Sequence, residues 1–418
     1  MQLVEKHIIR RSDPRYTAID AECFASKNLY NAALYEIRQA FIHQHRYLNY
    51  QAMDKRMQQH EAYKVLPAKV AQQVLRLLEK NWKSYFAALA AYEAAPSKFR
   101  ARPKLPSYKD KTKGRNVLIY TMQAVSRSKR TLGRKIIQLS GLDLTVKTRQ
   151  DPQSIAQVRL VPKSGFYVVE VIYEQEEKQI AVDLKLVAGV DLGVNNLVAL
   201  TSNKAGFVPV IVNGRGLKST NQFYNKRRAE LQQALRRKGS TRRLEKLTHQ
   251  RNRRIEHDLH TVSRFVIDLL VAEGIDTLII GKSDGWKQEI NLGKRTNQQF
   301  VQIPHAQLIQ MLTYKAELVG IRLLLTEESY TSKASFLDAD LLPVYAPDQT
   351  TVPCFSGKRI KRGLYQASDG RLINADCNGS YNIIRKVAPD AFGLEGVEDG
   401  ERRVHLPVVH PVRLSFPH

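Results

Sequence analysis

A strand–turn–strand segment near the middle of the chain constrains the fold most strongly. Residues 188–202, AGVDLGVNNLVALTS, are typical of a buried apolar strand with one acid, a Gly-Val-Asn-Asn turn and a second strand. Beyond it, an apolar stripe along residues 259–269 predicts a helix, residues 277–280 a buried strand, Pro304 the start of another helix, and residues 321–325 the next strand. Hairpin strands followed by alternating helices and strands predict an α/β domain with a mixed sheet.

The N-terminal half shows a different pattern, in which a helical stretch interrupts strand-like segments. The first 20 residues are strand-like, residues 21–95 have helical periodicity, and residues 117–179 alternate with period two. A hairpin turn is predicted at Lys163-Ser164-Gly165. We therefore expect a small β-rich unit, a barrel or a sandwich, whose first strand is the N-terminal segment and which contains a helical insertion.

The charge balance predicts a polyanionic partner, by default a nucleic acid. The 418 residues include 66 Lys and Arg against 40 Asp and Glu, a formal charge of +26. Between residues 215 and 254 there are fourteen cations and two acids, too few acids to pair along a solvated helix face, so phosphate contact is favoured. Residues 97–113, which we call the basic connector, interleave cations with Phe99 and Tyr108, a pattern that favours a phosphate-tracking strand over a solvated linker.

Cysteine usage and the apolar segments bear on the cellular setting. The three cysteines lie far apart, which excludes a disulfide scaffold and fits a reducing cytosol. No apolar run approaches the length of a membrane span, and the first residues contain no hydrophobic signal segment. We expect a cytoplasmic protein with no membrane partner, and we expect its last residues, 404–418, to be poorly structured.

Four acids could take part in chemistry. Asp191 lies inside an apolar strand, where an unpaired carboxylate is costly unless it binds a cation. Taken alone, Asp376 is typical of a helix N-cap, and Glu327 and Glu328 of a charged surface turn. Because acids at the ends of separate strands can converge at one edge of an α/β sheet, we expect three of them to meet there. Such a set suits two divalent ions about 3.5–4 Å apart, and its hard oxygen ligands favour Mg²⁺ or Mn²⁺.

Five segments resemble, in order along the chain, the motifs of the TnpB family of transposon-encoded RNA-guided endonucleases, which are related to type V CRISPR effectors. They read GVDLGVNNLVALTS, RNRRIEHDLH, GWKQE, YTSKASF and NADCNGSYNIIRK. The resemblance implies a transposon-derived guide RNA, a double-stranded DNA target beside a short adjacent motif, and RuvC-type cleavage with Mg²⁺.

The same resemblance implies a multidomain α+β architecture. A β-barrel wedge domain (residues 1–20 and 114–185) would contain an inserted helical recognition domain that includes the basic connector (21–113). An α/β RNase H-like (RuvC) nuclease domain (186–390) with an insert at residues 331–372 would follow, and then a C-terminal tail (391–418).

The family's catalytic acids carry over onto this chain with one departure. Asp191 matches the first catalytic aspartate and Asp376 the last. The family's middle glutamate closes the strand after the basic helices, where this chain has Gly281 and Lys282.

Two explanations of this departure remain open. A relocated acid would supply the third metal ligand, either Glu328, which we prefer, or Glu327 or Asp284. Alternatively, the chain would be a nuclease-inactive protein that still binds guided DNA.

A second departure concerns zinc, which the family often binds through two CxxC pairs in the insert. Ser335 stands where the first cysteine would fall, and Cys354 has no partner at CxxC spacing. Because a structural zinc site needs about four nitrogen or sulfur ligands, we expect no zinc here and an insert held by other means. Contact with nucleic acid and a plain solvated loop are equally compatible with the four cations of the insert, Lys358, Arg359, Lys361 and Arg362.

Further residues are candidates for nucleic-acid contacts. Family members read the adjacent motif with the recognition helix, where Lys69 and Gln73 lie one turn apart, with Tyr50 as a possible third contact. An ordinary polar helix face is the competing interpretation. The candidates for contact with the nucleic-acid backbone are Lys109, Arg227, Arg251 and Arg254.

Four functions compete at this point. The leading hypothesis is an RNA-guided DNA endonuclease of a prokaryotic, nucleoid-associated kind, and the second is a nuclease-inactive guided repressor. A transposase would need strand joining, for which the sequence has no separate feature. A guide-independent RNA-binding protein would explain the charge but leave the buried Asp191 unexplained.

Overall fold

The chain folds into two units, each built from helices and strands. The computed structural model describes residues 1–126, 133–178, 186–235, 239–282, 302–345, 353–393 and 409–416. The units are Met1–Gln175 and Glu176–His418. The mixed α+β, multidomain architecture expected from the sequence is thereby confirmed.

Two antiparallel sheets form the β part of the first unit. Their strands are β1 (Gln2–Arg10), β2 (Leu118–Thr121), β3 (Ile136–Gln138), β4 (Thr145–Lys147), β5 (Ile155–Lys163) and β6 (Phe166–Glu174). Four of them pair in the order β1–β6–β5–β2, and β3 pairs with β4. The predicted hairpin joins β5 to β6, and its Gly165 adopts a φ of +85°, which a glycine reaches without steric cost.

Helices connect β1 to β2 in the first unit. They are α1 (Tyr16–Gln44), α2 (Tyr50–Met57), α3 (Glu61–Lys64) and α4 (Ala68–Ala94). Helix α4 buries Val70, Val74, Leu78 and Trp82, which recur every three to four residues and therefore share one face. This apolar face packs into the same core as α1 and the sheet strands.

A mixed sheet of six strands is the centre of the second unit. The strands of this unit are β7 (Val187–Asp191), β8 (Asn196–Ser202), β9 (Val210–Asn213), β10 (Thr277–Gly281), β11 (Arg322–Thr326), β12 (Lys358–Lys361), β13 (Leu364–Gln366), β14 (Leu372–Asn374) and β15 (Val412–Leu414). The sheet order is β11–β10–β7–β8–β9–β15, and β12, β13 and β14 form a separate sheet. Strands β7, β10 and β11 run parallel, whereas β8 is antiparallel to β7 and to β9.

Helices cover both faces of this central sheet. They are α5 (Arg215–Leu235), α6 (Arg242–Ala272), α7 (His305–Val319) and α8 (Ala375–Val387). Helices α6 and α7 share a core with Ala188 and Val190 of β7, and α8 shares the opposite core with Val187. Among the described residues, none of the helices combines the length and apolar composition that a membrane span requires.

Helix α8 lies unusually close to strand β7. Ser380 Oγ donates a hydrogen bond to Gly189 O (2.8 Å) and lies 2.8 Å from Thr201 Oγ1. A Cβ atom on Gly189 would lie 2.5 Å from Ser380 O, so only glycine permits this approach. Because side chains alternate along a strand, Asp191 points to the same face of the sheet as Gly189, the face that α8 covers.

The last residues of the chain differ from expectation. We expected residues 404–418 to be poorly structured, but Val412–Leu414 form β15, which pairs in parallel with β9 at the edge of the central sheet. A run of three residues next to Pro411 is too short to produce a recognisable strand pattern, and its pairing partner lies some 200 positions earlier in the chain.

We predict that Gly189→Ala destabilises the second unit by about 1–3 kcal/mol, the usual cost of overpacking a core. The added methyl group would push α8 away from β7, because the atom it meets is a backbone oxygen. Thermal unfolding followed by circular dichroism measures the effect. Gly363→Ala is the matched control, since nothing lies within 4 Å of a Cβ atom there; equal melting temperatures for the two variants would contradict the close-packing explanation.

Candidate active site

Three carboxylates come together at one edge of the central sheet. Asp191 ends β7, Glu328 follows the end of β11, and Asp376 is the second residue of α8. Strands β7 and β11 lie on either side of β10 and run parallel to it, so their carboxyl ends reach the same edge. We call Asp191, Glu328 and Asp376 the acidic cluster.

Electrostatic coupling shows that these groups are close to one another. Burial, together with the negative charges of Glu328 and Asp376, raises the pKa of Asp191 to about 7, and Arg359 opposes this shift. Helix α8 also comes near Asp191 at Gly379, where a Cβ atom would lie 2.9 Å from Asp191 Oδ2. The fold therefore concentrates negative charge where a divalent cation would relieve the repulsion.

Two further side chains contact Asp376. Asn196 Nδ2 donates a hydrogen bond to Asp376 Oδ2, and Arg359 Nη2 lies 3.5 Å from Asp376 Oδ1. The side chain of Asn374 accepts hydrogen bonds from the backbone N–H groups of Asp376 and Cys377, so Asn374, and not Asp376, caps α8. The carboxylate of Asp376 is therefore not used to cap the helix and can take part in the acidic cluster.

The two glutamates that follow β11 have different surroundings. Glu327 forms an ion pair with Lys386 of α8 and accepts a hydrogen bond from Ser329 N (2.7 Å). Although burial opposes it, these hydrogen bonds hold the pKa of Glu327 below its ordinary value. Glu327 therefore ties α8 to β11, while Glu328 is the glutamate whose charge acts on Asp191.

Gly281 lies beside the carboxylate of Glu328. Gly281 pairs with Thr326 in the parallel β10–β11 ladder, two residues before Glu328. A Cβ atom on Gly281 would lie 3.0 Å from Glu328 Oε2 and 2.6 Å from Ile383 Cδ1. The carboxylate thus lies next to the space that a side chain at position 281 would enter. Asp284, the third acid considered from the sequence, and the GWKQE segment lie outside the described residues.

The acidic cluster has the donor chemistry of a site for hard divalent cations. Carboxylate oxygens are the ligands that Mg²⁺ and Mn²⁺ prefer, and the raised pKa of Asp191 reflects its burial and, in addition, repulsion by the neighbouring carboxylates. In this arrangement, no three His, Cys, Asp or Glu side chains of the described residues are close enough to hold an ion. Binding of an ion would need the three carboxylates to draw closer together.

Hydrogen bonds join separate parts of the insert, residues 331–372, to one another. Asp340 accepts hydrogen bonds from Ser335 N (2.7 Å) and Ser356 Oγ (2.6 Å), and Asp338 accepts one from Ser368 N (3.0 Å). Ser335, which stands where the family often has its first zinc-binding cysteine, is thus part of a network of carboxylates and serines.

Helix α8 also holds the YTSKASF segment that opens the insert. The buried Asn378 accepts a hydrogen bond from Phe336 N (2.9 Å) and donates one to Ala334 O (2.8 Å). The buried Asn382 donates to Thr331 O (3.0 Å). Two motifs that are about 40 residues apart in the sequence therefore form one packed element.

The candidate residues for reading an adjacent motif lie in the first unit. Lys69 is exposed and Gln73 is partly buried, both in the first turns of α4. Tyr50 begins α2, and the guanidinium of Arg76 stacks 4.1 Å from the centre of its ring. An exposed polar face of α4 with a cation–π pair beside it is consistent with a contact surface.

The four candidates for backbone contact have different environments. Arg254 is exposed, and Arg227 forms an ion pair with Glu230 (2.6 Å). Lys109 Nζ lies 5.0 Å from the centre of the Tyr30 ring, and burial lowers the pKa of Lys109.

Arg251, the fourth of these candidates, is partly buried. Its guanidinium donates hydrogen bonds to Asn221 Oδ1 (2.8 Å) and Gln302 O (3.0 Å), and burial lowers its pKa. These hydrogen bonds join Arg251 of α6 to Asn221 of α5 and to Gln302, which lies just before α7.

Sequence reasoning missed two residues at the site. Asn196 is the last residue of the Gly-Val-Asn-Asn turn, and its position at the start of a strand could have suggested a polar side chain at the sheet edge. Arg359 lies in the insert, where no periodicity relates it to Asp376, and only the three-dimensional fold brings the two together.

Comparison with known proteins gives two family matches. Residues 170–287 match the OrfB_IS605 family model, described as "Probable transposase", and residues 305–383 match the Cas12f1-like TNB domain. The comparison with curated proteins found no match.

Several solved structures are similar to this chain. A Cas12f1–sgRNA–target DNA complex is 15% identical over 88% of this chain and 81% of its own, with a TM-score of 0.50. A CRISPR-Cas12f ternary complex is 14% identical over 88% and 80%, and the mini-RNA-guided endonuclease CRISPR-Cas_phi3 is 11% identical over 61% and 54%, each with a TM-score of 0.34. The two family matches support a relation of this chain to TnpB and Cas12f proteins, and the first of these structures shares its fold.

Proposed function

We propose that this chain is the RNA-guided DNA endonuclease of a transposon, cleaving double-stranded DNA beside a short adjacent motif with a RuvC-like site in residues 186–390. The relation to TnpB and Cas12f supports an RNA-guided nuclease. The observation that carries the finer proposal is the acidic cluster at the carboxyl ends of parallel strands, where burial and neighbouring carboxylates act together on Asp191.

The residues of the site have distinct roles in this proposal. Asp191, Glu328 and Asp376 hold divalent ions. When bound, Mg²⁺ or Mn²⁺ activates a water molecule and stabilises the leaving oxygen in phosphodiester cleavage. Asn196 orients the carboxylate of Asp376, and Arg359 places a positive charge beside it that attracts the scissile phosphate.

Glu328 replaces the middle glutamate of the family in this account. The family's acid would project from β10 at position 281 or 282, where this chain has glycine and lysine. Glu328 reaches the same place from the neighbouring strand, and the absence of a side chain on Gly281 leaves room for its carboxylate. The ion pair between Glu327 and Lys386 supports Glu328 over Glu327 in this role.

The first unit contains the wedge and recognition domains of the proposal. Its sheet corresponds to the wedge domain (residues 1–20 and 114–185), and its helices with the basic connector correspond to the recognition domain (21–113). Tyr50, Lys69 and Gln73 of this unit read the adjacent motif. The backbone of the guide RNA or the target DNA is contacted by Lys109 of the first unit and by Arg227, Arg251 and Arg254 of the second.

The basic connector is held in an extended form along α1. Three side chains of α1 donate hydrogen bonds to its backbone carbonyls: Lys27 to Lys111 (2.7 Å), Asn31 to Lys109 (2.9 Å) and Arg38 to Pro106 (3.2 Å). The donors span 11 residues of helix, about 16 Å, and the acceptors span five residues, also about 16 Å if extended. The connector is therefore almost fully extended there.

The side chains of the connector are free to meet a polyanion. Arg102, Lys104 and Lys111 are exposed, and within the described part of the chain none of them pairs with a carboxylate. Tyr108 is exposed beside Arg38, whose guanidinium lies 5.2 Å from the centre of its ring. Cations and an exposed aromatic ring along an extended segment suit a single-stranded stretch of the guide RNA.

The first prediction separates the two adjacent glutamates. The RNA that co-purifies with the protein is sequenced, its 3′ end defines the guide, and cleavage of a matching DNA library is measured with Mg²⁺. Asp191→Ala and Glu328→Gln should each lower the cleavage rate by more than about 100-fold, because loss of a metal ligand exceeds the effect of an outer-shell change. Glu327→Gln should cleave at close to the wild-type rate but unfold at a lower temperature, because Lys386 loses its partner.

Two other outcomes would contradict parts of the proposal. Full activity in Glu328→Gln with loss of activity in Glu327→Gln would contradict the assignment of the third ligand. Guided DNA binding without cleavage by the wild-type protein at saturating Mg²⁺ would instead identify a guided repressor.

The second prediction concerns the basic connector. In the triple variant Arg102→Gln, Lys104→Gln, Lys111→Gln, affinity for the co-purified RNA should depend less on salt, with the slope of log K against log salt smaller by about 2, or about 0.7 per lost contact. The matched control replaces three exposed cations of the first unit's strands, Arg10, Lys147 and Lys163. Equal slopes for the two triple variants would contradict a role for the connector.

A further inference from the structure

Residues 409–416, which we call the C-terminal segment, lie along the edge of the central sheet. Strand β15 pairs with β9, with Arg413 opposite Ile211. Leu414 and Phe416 pack against the core under α6, and the Phe416 ring lies 5.5 Å from that of Phe265 in an edge-on arrangement. These contacts fix the segment on both its backbone and its apolar side.

A relay of two hydrogen bonds runs from the C-terminal segment to the acidic cluster. Arg413 Nη1 donates to Asn196 Oδ1 (3.2 Å), and Asn196 Nδ2 donates to Asp376 Oδ2. The segment also approaches the start of α8, where Val409 O lies 3.5 Å from Asn374 N. The relay ends on Asp376 itself, and the second contact ends on Asn374, two residues before it.

The relay determines which way the amide of Asn196 faces. A guanidinium is only a donor, so the amide oxygen of Asn196 must face Arg413. The amide nitrogen then faces Asp376, whose carboxylate is an acceptor. Without Arg413, the amide could rotate by 180° and present its oxygen to the carboxylate, where the two acceptors repel each other.

We propose that Arg413 is a positioning residue of the nuclease site, which acts through Asn196 to hold the carboxylate of Asp376 in the orientation that binds a divalent ion. The proposal rests on the proposed function, because it assigns Asp376 to a metal site. It makes the C-terminal segment a part of the site, although the segment is not joined to α8 by any continuous element among the described residues.

The test compares variants of the full chain in complex with the co-purified RNA. Calorimetric titration with Mn²⁺ measures ion binding directly, and the Mg²⁺ concentration for half-maximal cleavage measures it in the reaction. Arg413→Met should weaken Mn²⁺ binding and raise the half-maximal Mg²⁺ concentration by about two- to tenfold, the worth of one hydrogen bond. Arg413→Lys, which keeps a donor, should recover most of this loss.

A double-mutant cycle separates the relay from a general structural effect. Asn196→Ala should weaken Mn²⁺ binding at least as much as Arg413→Met, and adding Arg413→Met to Asn196→Ala should have no further effect. Ser415→Ala is the control. It removes another hydrogen bond of the same segment, from Asn213 Nδ2 to Ser415 Oγ (3.1 Å), that does not reach Asp376, and should leave both readouts unchanged.

The outcomes distinguish this inference from the proposed function. If the wild-type complex cleaves DNA and Arg413→Met has the same Mn²⁺ affinity and Mg²⁺ dependence, the inference is overturned while the proposed function stands. Additive effects of Arg413→Met and Asn196→Ala would overturn it as well. If the wild-type complex neither binds Mn²⁺ nor cleaves, the proposed function itself fails.

Discussion

Repulsion between carboxylates at one edge of a sheet is the constraint that the second unit has to accommodate. Asp191 shares this edge with Glu328 and Asp376, and burial together with the charges of these two carboxylates raises its pKa. An arrangement that is costly for folding persists because close packing enforces it: α8 approaches β7 at Gly189, where a side chain would not fit. The fold thus accepts electrostatic strain at a place where a divalent cation would remove it.

The contacts around the cluster divide the neighbouring polar residues into two groups. Asn196 and Arg359 contact Asp376 and so act on the cluster itself. Glu327 and Lys386 form an ion pair that ties α8 to the end of β11, and Asn378 and Asn382 tie the same helix to the insert. Helix α8 is therefore both the carrier of one acid and the element on which the surrounding segments are assembled.

Sequence reasoning pointed to part of this candidate site. Asp191 was recognisable because a single acid in an apolar strand needs a partner. Asp376, which taken alone is typical of a helix N-cap, was recognisable through the resemblance to the family's last motif. The choice between Glu327 and Glu328 was not decidable from the pattern, because alternation cannot be phased at the end of a strand. The positions of Lys386 and Gly281, which are distant in the sequence, are what favours Glu328 in the proposed site. The strand at residues 412–414 escaped prediction for the same reason, since it is defined only by its pairing with β9.

The most direct test of the account is to locate the ion. Crystals of the protein bound to its RNA and to target DNA, soaked in Mn²⁺, would show the ion by its anomalous scattering. The account predicts Mn²⁺ about 2.1 Å from carboxylate oxygens of Asp191, Glu328 and Asp376. An ion bound by Glu327, or a Glu328 side chain turned away from a bound ion, would contradict it.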